Sequence, residues 1–278
     1  MKTCRSASIV AIGALGVMTA IGACAEAKRV NVPPVTVAFP AATASTASSI
    51  MTDGLGEGGA GGAVKALPVT ASFVDVPASV PAAPCSRVMI AIAKGKATVG
   101  ADTLAAGDAI VVTHPEPLDL KGAGLALVVT EALPPSACVA KTTMDKKVVP
   151  RSAAPKLAWA GGAMSAHLDV GTNLSPDVYL GRLEGTASVP EHTHAGTWEI
   201  LAAVEASGTF VLDGVEARLG PRQIVFVPPG AKHAWKADPG TKLVALQMYS
   251  PPGPEQRFVA LDAAEKAEKD AGADAAKE

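Results

Sequence analysis

Apolar positions along the chain fall into short runs cut by glycine, proline and Asp-Gly turns. Val88-Met89-Ile90-Ala91-Ile92-Ala93 leads into Lys94-Gly95-Lys96, and Ala97-Thr98-Val99 resumes the pattern. Leu104-Ala105-Ala106-Gly107-Asp108 then gives way to Ala109-Ile110-Val111-Val112, and Gly124-Leu125-Ala126-Leu127-Val128-Val129 follows. Runs this short, rich in β-branched residues and bounded by turn formers, predict strands. No convincing long amphipathic helix interrupts them.

The pattern then repeats. Ile200 to Val204, Ser207-Gly208-Thr209-Phe210-Val211-Leu212, Asp213-Gly214, Gln223-Ile224-Val225-Phe226-Val227 and Lys242-Leu243-Val244-Ala245-Leu246-Gln247 have the same order of strand and turn. Gly95 falls on Gly208 and Ile110 on Ile224, an offset of 113 to 114 residues. Two copies of one strand-rich unit predict an all-β protein of two barrels packed together. The units are placed at 68–150 and 151–261.

The flanks have a different composition. Lys2 and Arg5 precede an uncharged stretch from Ser6 to Ala23, followed by Cys24-Ala25-Glu26. That is a targeting segment at 1–24, too short and too rich in glycine and alanine for a spanning helix. From Ala25 to Leu67 the chain is alanine, threonine, serine, glycine and proline, which cannot bury enough apolar surface to offset its ordering entropy; it reads as a flexible tether. From Asp262 to Glu278, six acidic and three basic residues sit among alanines. This reads as a charged tail, a fraying helix or a disordered end.

Charge and cysteine content narrow the function classes. There are 24 basic and 26 acidic side chains, so nothing points to nucleic acid or another strongly charged partner. Of the four cysteines, Cys4 and Cys24 belong to the leader. An exported chain then keeps Cys85 and Cys138, an even pair. A disulfide between them would close a loop of about 54 residues and contribute roughly 4 kcal/mol in the chain-entropy account. The alternative is two buried free thiols.

The candidate chemistry lies in Pro190-Glu191-His192-Thr193-His194-Ala195-Gly196-Thr197-Trp198-Glu199. Residues two apart on a strand share a face, so His192 and His194 project together. Glu199 has the wrong parity for an unbroken strand, and Ala195-Gly196-Thr197 supplies a turn that resets it. His233 follows the turn at Pro228-Pro229-Gly230. Glu191 has the opposite parity and is expected to point outward. His114 and His167 read as turn, surface or strand residues, and Trp198 and Trp235 as barrel core, rim or pocket wall. The segment from Tyr249 to Phe258 either lies over the second barrel or links to a neighbour.

These residues carry a resemblance to the cupin superfamily. Its first motif has glycine, His-x-His, a short gap, glutamate and a later glycine; here these are Gly185, His192, His194, Glu199 and Gly208. Its second has glycine, Pro-x-Gly and histidine; here Gly220, Pro228-Pro229-Gly230 and His233. Ala206, Arg222 and Ala237 depart from the usual motif at turns and periphery. The first copy resembles the family in strand pattern alone, since Ser86 stands opposite Glu199 and no His-x-His precedes it. Ile21-Gly22-Ala23-Cys24 in turn resembles a bacterial lipobox, which implies lipidation at Cys24 and a membrane-anchored envelope protein, periplasmic or on the outer membrane. Ala23-Cys24-Ala25 also fits ordinary cleavage and a secreted product.

The cupin resemblance implies two double-stranded β-helix (jelly-roll) barrels, the N-terminal one degenerate. It also implies a divalent metal on His192, His194, Glu199 and His233. Three neutral imidazoles and a carboxylate suit Fe, Mn, Ni, Co or Cu, with Zn less well matched because four protein ligands close a tetrahedral site. The implied partner is a small molecule, with homo-oligomerisation left open. The expected function is a metal-dependent enzyme of dioxygenase or isomerase type on a small oxygen-rich molecule. The alternatives are a non-catalytic binder of a sugar or small acid and a purely structural envelope protein. Fold alone does not choose among them.

Overall fold

The structure is a computed structural model. It describes residues 67, 69–113, 116–138, 145–167, 175 and 177–275. The expected leader, Cys24, nearly all of the tether and His114 lie outside the described residues.

Strands β1 (Val69–Val80), β2 (Ser86–Val99), β3 (Asp102–Ala105), β4 (Ala109–Thr113), β5 (Leu118–Ala132) and β6 (Asp145–Val149) form one antiparallel sheet. Its order is β1-β5-β2-β4-β6, with β3 also on β2. The long strands β2 and β5 pair from Ser86↔Ala132 to Val99↔Leu120, with a bulge between Ile92 and Lys94. Gly95 follows that bulge at φ 75, where a Cβ would lie 2.3 Å from Ala123 O. Only glycine tolerates both the backbone angle and the approach. The bulge bends the sheet, and Val88, Ile90, Ile92, Leu104, Ile110 and Leu120 meet on its inner face.

The second unit has two facing sheets. One comprises β7 (Lys156–Trp159), β8 (Met164–His167), β9 (Tyr179–Gly185), β11 (Trp198–Glu205), β14 (Ile224–Val227) and β16 (Leu243–Ser250), in the order β14-β11-β16-β9-β8-β7. The other comprises β10 (Val189–His192), β12 (Gly208–Leu212), β13 (Val215–Leu219) and β15 (His233–Ala237), in the order β10-β15-β12-β13. Asp213 and Gly214, both at positive φ, turn β12 into β13, the backbone that a two-residue hairpin requires. Phe210, Trp235, Leu201, Tyr249, Leu183 and Leu243 fill the space between the sheets.

The unbroken apolar runs follow from burial on both faces. In β11, Leu201 and Ala203 point into the second barrel, whereas Ile200, Ala202 and Val204 point to the first. In β2, Met89, Ala91 and Ala93 meet them from the other side. A strand covered on both faces loses its polar alternation. Polar ties rim this interface: Lys94 pairs with Glu205 at 2.9 Å and Arg222 with Asp75 at 2.8 Å. Arg87 donates to Glu131 at 2.7 Å and to Ser175 at 2.8 Å across the junction.

Two expectations are corrected. The Cys85–Cys138 bridge is not present: both are free thiols, Cys85 exposed and Cys138 half-buried in the short helix α1 (Pro135–Cys138). Cys138 Sγ donates to Leu133 O at 3.9 Å, and the neighbouring Cys85 thiol pushes the Cys138 thiol up from its ordinary value. The charged stretch, through Ala275, is a docked helix and not a loose end. Helix α2 runs from Gln256 to Ala275, starting inside the stretch assigned to the barrel, and it packs on β7. Phe258 stacks on Trp159 with ring centroids 5.0 Å apart. Asp262 accepts from Ala158 N at 3.0 Å and Glu265 from Gly161 N at 3.0 Å. Among the described residues no helix is long and apolar enough to cross a membrane.

Candidate metal centre

The two motif loops converge at one end of the second barrel. His192 ends β10 and pairs across the sheet with His233, the first residue of β15. His194 lies two residues beyond β10, where its carbonyl accepts from Gly230 N at 2.8 Å. That bond ties the His-x-His loop to the Pro-Pro-Gly turn. Glu199 is the second residue of β11, in the opposite sheet. The four donors therefore bridge the two layers of the barrel.

His192, His194, Glu199 and His233 each offer one ligand atom, and these atoms all lie within 4.8 Å of one another. Glu199 and His233 are buried, whereas the other two are half-buried. Glu199 Oε2 lies 3.0 Å from His194 Nε2 and 2.9 Å from His233 Nε2. The His192 and His233 ring centroids are 4.1 Å apart.

The outer nitrogens decide what this cluster can hold. His233 Nδ1 lies 3.0 Å from Ala231 O, and His192 Nδ1 lies 2.9 Å from Pro190 O. A carbonyl can only accept, so each Nδ1 carries its proton and each Nε2 is presented to the common centre. Metal-ligating histidines are held in this way. The donor set fits a divalent cation.

Burial alone would push the Glu199 carboxyl up. Hydrogen bonds from His194, His233 and Gln247 outweigh that and hold it at about 2, ionised at neutral pH. Burial pushes His192 down. Burial also acts downward on His233, but its contact with Glu199 prevails and raises it. An ion bound here would take the place of the proton that His233 shares with Glu199.

Residues 180–249 match the sequence family described as Cupin domain. Those residues, which include the whole quartet, are a cupin domain. No curated protein matches. Solved structures with the same fold include a putative glyoxylate-induced protein from Pseudomonas aeruginosa, at 10% identity and a TM-score of 0.50, covering 68% of this chain and 75% of that one. Vicilin from Corylus avellana (hazelnut) is similar at 10% identity and 0.51, over 66% and 74%. Oxalate decarboxylase from Lactobacillus farciminis, solved as a formate complex, is similar at 10% identity and 0.52, over 66% and 77%. At this identity the likeness is one of fold, and it extends across both β units.

In this cupin the quartet is a divalent-metal site at the edge of a cavity of about 240 Å³. Gln247, on β16, donates to Glu199 Oε1 at 2.6 Å and was missed from sequence. Its signal was present: it is the polar residue on the inward face shared by Leu243, Ala245 and Tyr249. Tyr249 sets its ring edge on His194 at 5.3 Å, and burial raises its phenol well above the ordinary value. Phe210 lies parallel to His233 at 6.2 Å. Trp235 lines the cavity whereas Trp198 does not, and Glu191 is exposed as expected. The segment after Tyr249 turns back over the second barrel, where Pro254, Arg257 and Phe258 line the same cavity.

His167 lies elsewhere. It lines a small cleft of about 30 Å³ between the two units. Its Nε2 is 3.1 Å from Arg151 Nη2. Burial and the Arg151 charge keep it below its ordinary value. Arg151, Arg182 and Lys242 all bond Glu184 beside it.

Proposed function

We propose that this cupin is an exported metal-dependent enzyme acting on a small oxygen-rich molecule through His192, His194, Glu199 and His233. The observation that carries the reading is the convergence of four ligand atoms within 4.8 Å beside an open cavity. A buried structural staple has no need of such a cavity. Bound there, a divalent ion supplies Lewis acidity and a template for a bidentate oxygen ligand. With His192, His194, Glu199 and His233 as its protein donors, such an ion would still have room for an oxygen-bearing ligand from the cavity.

The remaining residues say which chemistry this chain can assist. Apart from the quartet, the cavity offers Ser188, Gln247, Tyr249 and Arg257 as polar side chains. None is a general base near neutral pH, since Tyr249 holds its proton far above that range. Glu199 is engaged on both oxygens. The inventory favours dioxygenase-type chemistry, in which proton shuttling is a minor demand, over isomerase-type chemistry. It also favours the second reading, a non-catalytic small-molecule binder, over a base-dependent enzyme.

The test separates these readings. The metal-loaded protein is offered a panel of catechols, flavonols, keto acids and sugar phosphates, with dioxygen uptake and product formation followed. Turnover that vanishes in His233→Ala supports the enzyme. Saturable binding with neither uptake nor product sinks it in favour of the binder.

A further inference from the structure

The cavity beside the quartet has a composition unlike the rest of the chain. There are three Trp, two Tyr and five Phe in the whole sequence. Half of that set, Trp159, Phe210, Trp235, Tyr249 and Phe258, lines this one space. Aromatic faces are stacking surfaces, and a cavity walled by five of them suits a flat apolar body far better than a sugar or a two-carbon acid. Its volume of about 240 Å³ lies just below the roughly 300 Å³ at which drug-sized sites begin. One ring with short substituents fits that scale.

One basic feature stands among these walls. Arg257, in the first turn of α2, is the one Lys or Arg side chain lining the cavity. It comes from the same helix that brings Phe258 and Leu261 to the cavity wall. Helix α2 is fastened to β7 and the following turn by Asp262 and Glu265, which bond Ala158 N and Gly161 N. The helix backbone that carries Arg257 and Phe258 is therefore held against the barrel.

We propose that α2 sets the substrate class: the cavity takes an aromatic carboxylate, its ring among the aromatic walls and its carboxylate at Arg257. This rests on the metal-centre reading for one point only. A vicinal oxygen pair on the ring is what would reach His192, His194, Glu199 and His233. The acid preference and the aromatic preference belong to α2 and the cavity walls, and they do not need the ion.

The test is equilibrium binding to the full chain, with and without added Mn(II), followed by calorimetry. The probes are 3,4-dihydroxybenzoate, 3,4-dihydroxybenzamide and oxalate. The acid is expected to bind about fivefold more tightly than the amide, the upper end for an exposed ion pair. Oxalate is expected to be the weakest in both states. Arg257→Gln, an exposed position, should abolish the acid-over-amide difference and leave amide affinity unchanged, with an unaltered melting temperature. Phe258→Ala should weaken acid and amide together. Equal binding of acid and amide to the wild type, an acid preference that survives Arg257→Gln, or oxalate binding more tightly than both would overturn the proposal. Failure of the metal reading looks different: no probe then gains affinity on adding Mn(II), whereas the acid preference persists.

Discussion

Gln247 donates its amide to Glu199 Oε1 at 2.6 Å, and so fixes which carboxylate oxygen faces the histidines. Oε2 is left to His194 and His233. Outer residues of this kind tune metal affinity by about 10–100-fold. Gln247→Leu keeps the volume and removes the donor. It should lower metal affinity by about tenfold in a chelator competition, with the fold retained by circular dichroism. Unchanged affinity would reduce Gln247 to core filling.

Glu184 makes acid stability a second readout. Burial pushes its carboxyl up, but hydrogen bonds from Arg182 and Lys242 and their charges prevail, bringing it from 4.5 to about 2. A carboxyl depressed on folding contributes stability that is complete above its unfolded value and fades as pH falls towards its folded one. Between pH 5 and pH 2 the urea midpoint of the wild type should therefore fall more than that of Glu184→Gln, and the two should converge at the acid end. Parallel curves would mean that the Arg151–Arg182–Lys242 cluster does not stabilise the ionised form.

The sequence and the fold agree where each strand has one job. The His-x-His pair, the parity-resetting turn and the Pro-Pro-Gly before His233 stand out because ligands need fixed side-chain directions at short spacing. The apolar runs of β2, β11 and β16 were legible as strands, being buried on both faces. Helix α2 was read as a tail for a physical reason. Phe258, Leu261, Asp262 and Glu265 share its docked face, and two of those four are acids that bond backbone N–H groups of the barrel. A docking face that is half carboxylate carries no apolar stripe. Arg257 was illegible for a related reason: its role depends on α2 meeting the cavity, which local pattern does not encode.

The cysteine pair was legible as a pair and misread as a bond. Cys85 and Cys138 are free thiols close enough for one to shift the other. We expect mild oxidation to link them with little rearrangement. Alkylation before and after oxidation should show two reactive thiols becoming none in the described part of the chain. If both still react after oxidation, the sulfurs are not in contact.

Export rests on the leader and on Cys24. In a bacterial host, labelled palmitate should enter the wild type and be absent from Cys24→Ser, and the wild type should fractionate with membranes. A soluble, unlabelled extracytoplasmic product would select ordinary cleavage, whereas full-length cytoplasmic protein would contradict export altogether.

The most direct test is the metal content of the purified protein by elemental mass spectrometry, beside the His192→Ala/His194→Ala double variant. The account predicts one divalent ion per chain in the wild type and none in the variant, with both folded. A folded wild type that takes up no metal when offered Mn(II), Fe(II), Ni(II), Co(II), Cu(II) or Zn(II), or a variant that binds as much as the wild type, would contradict it.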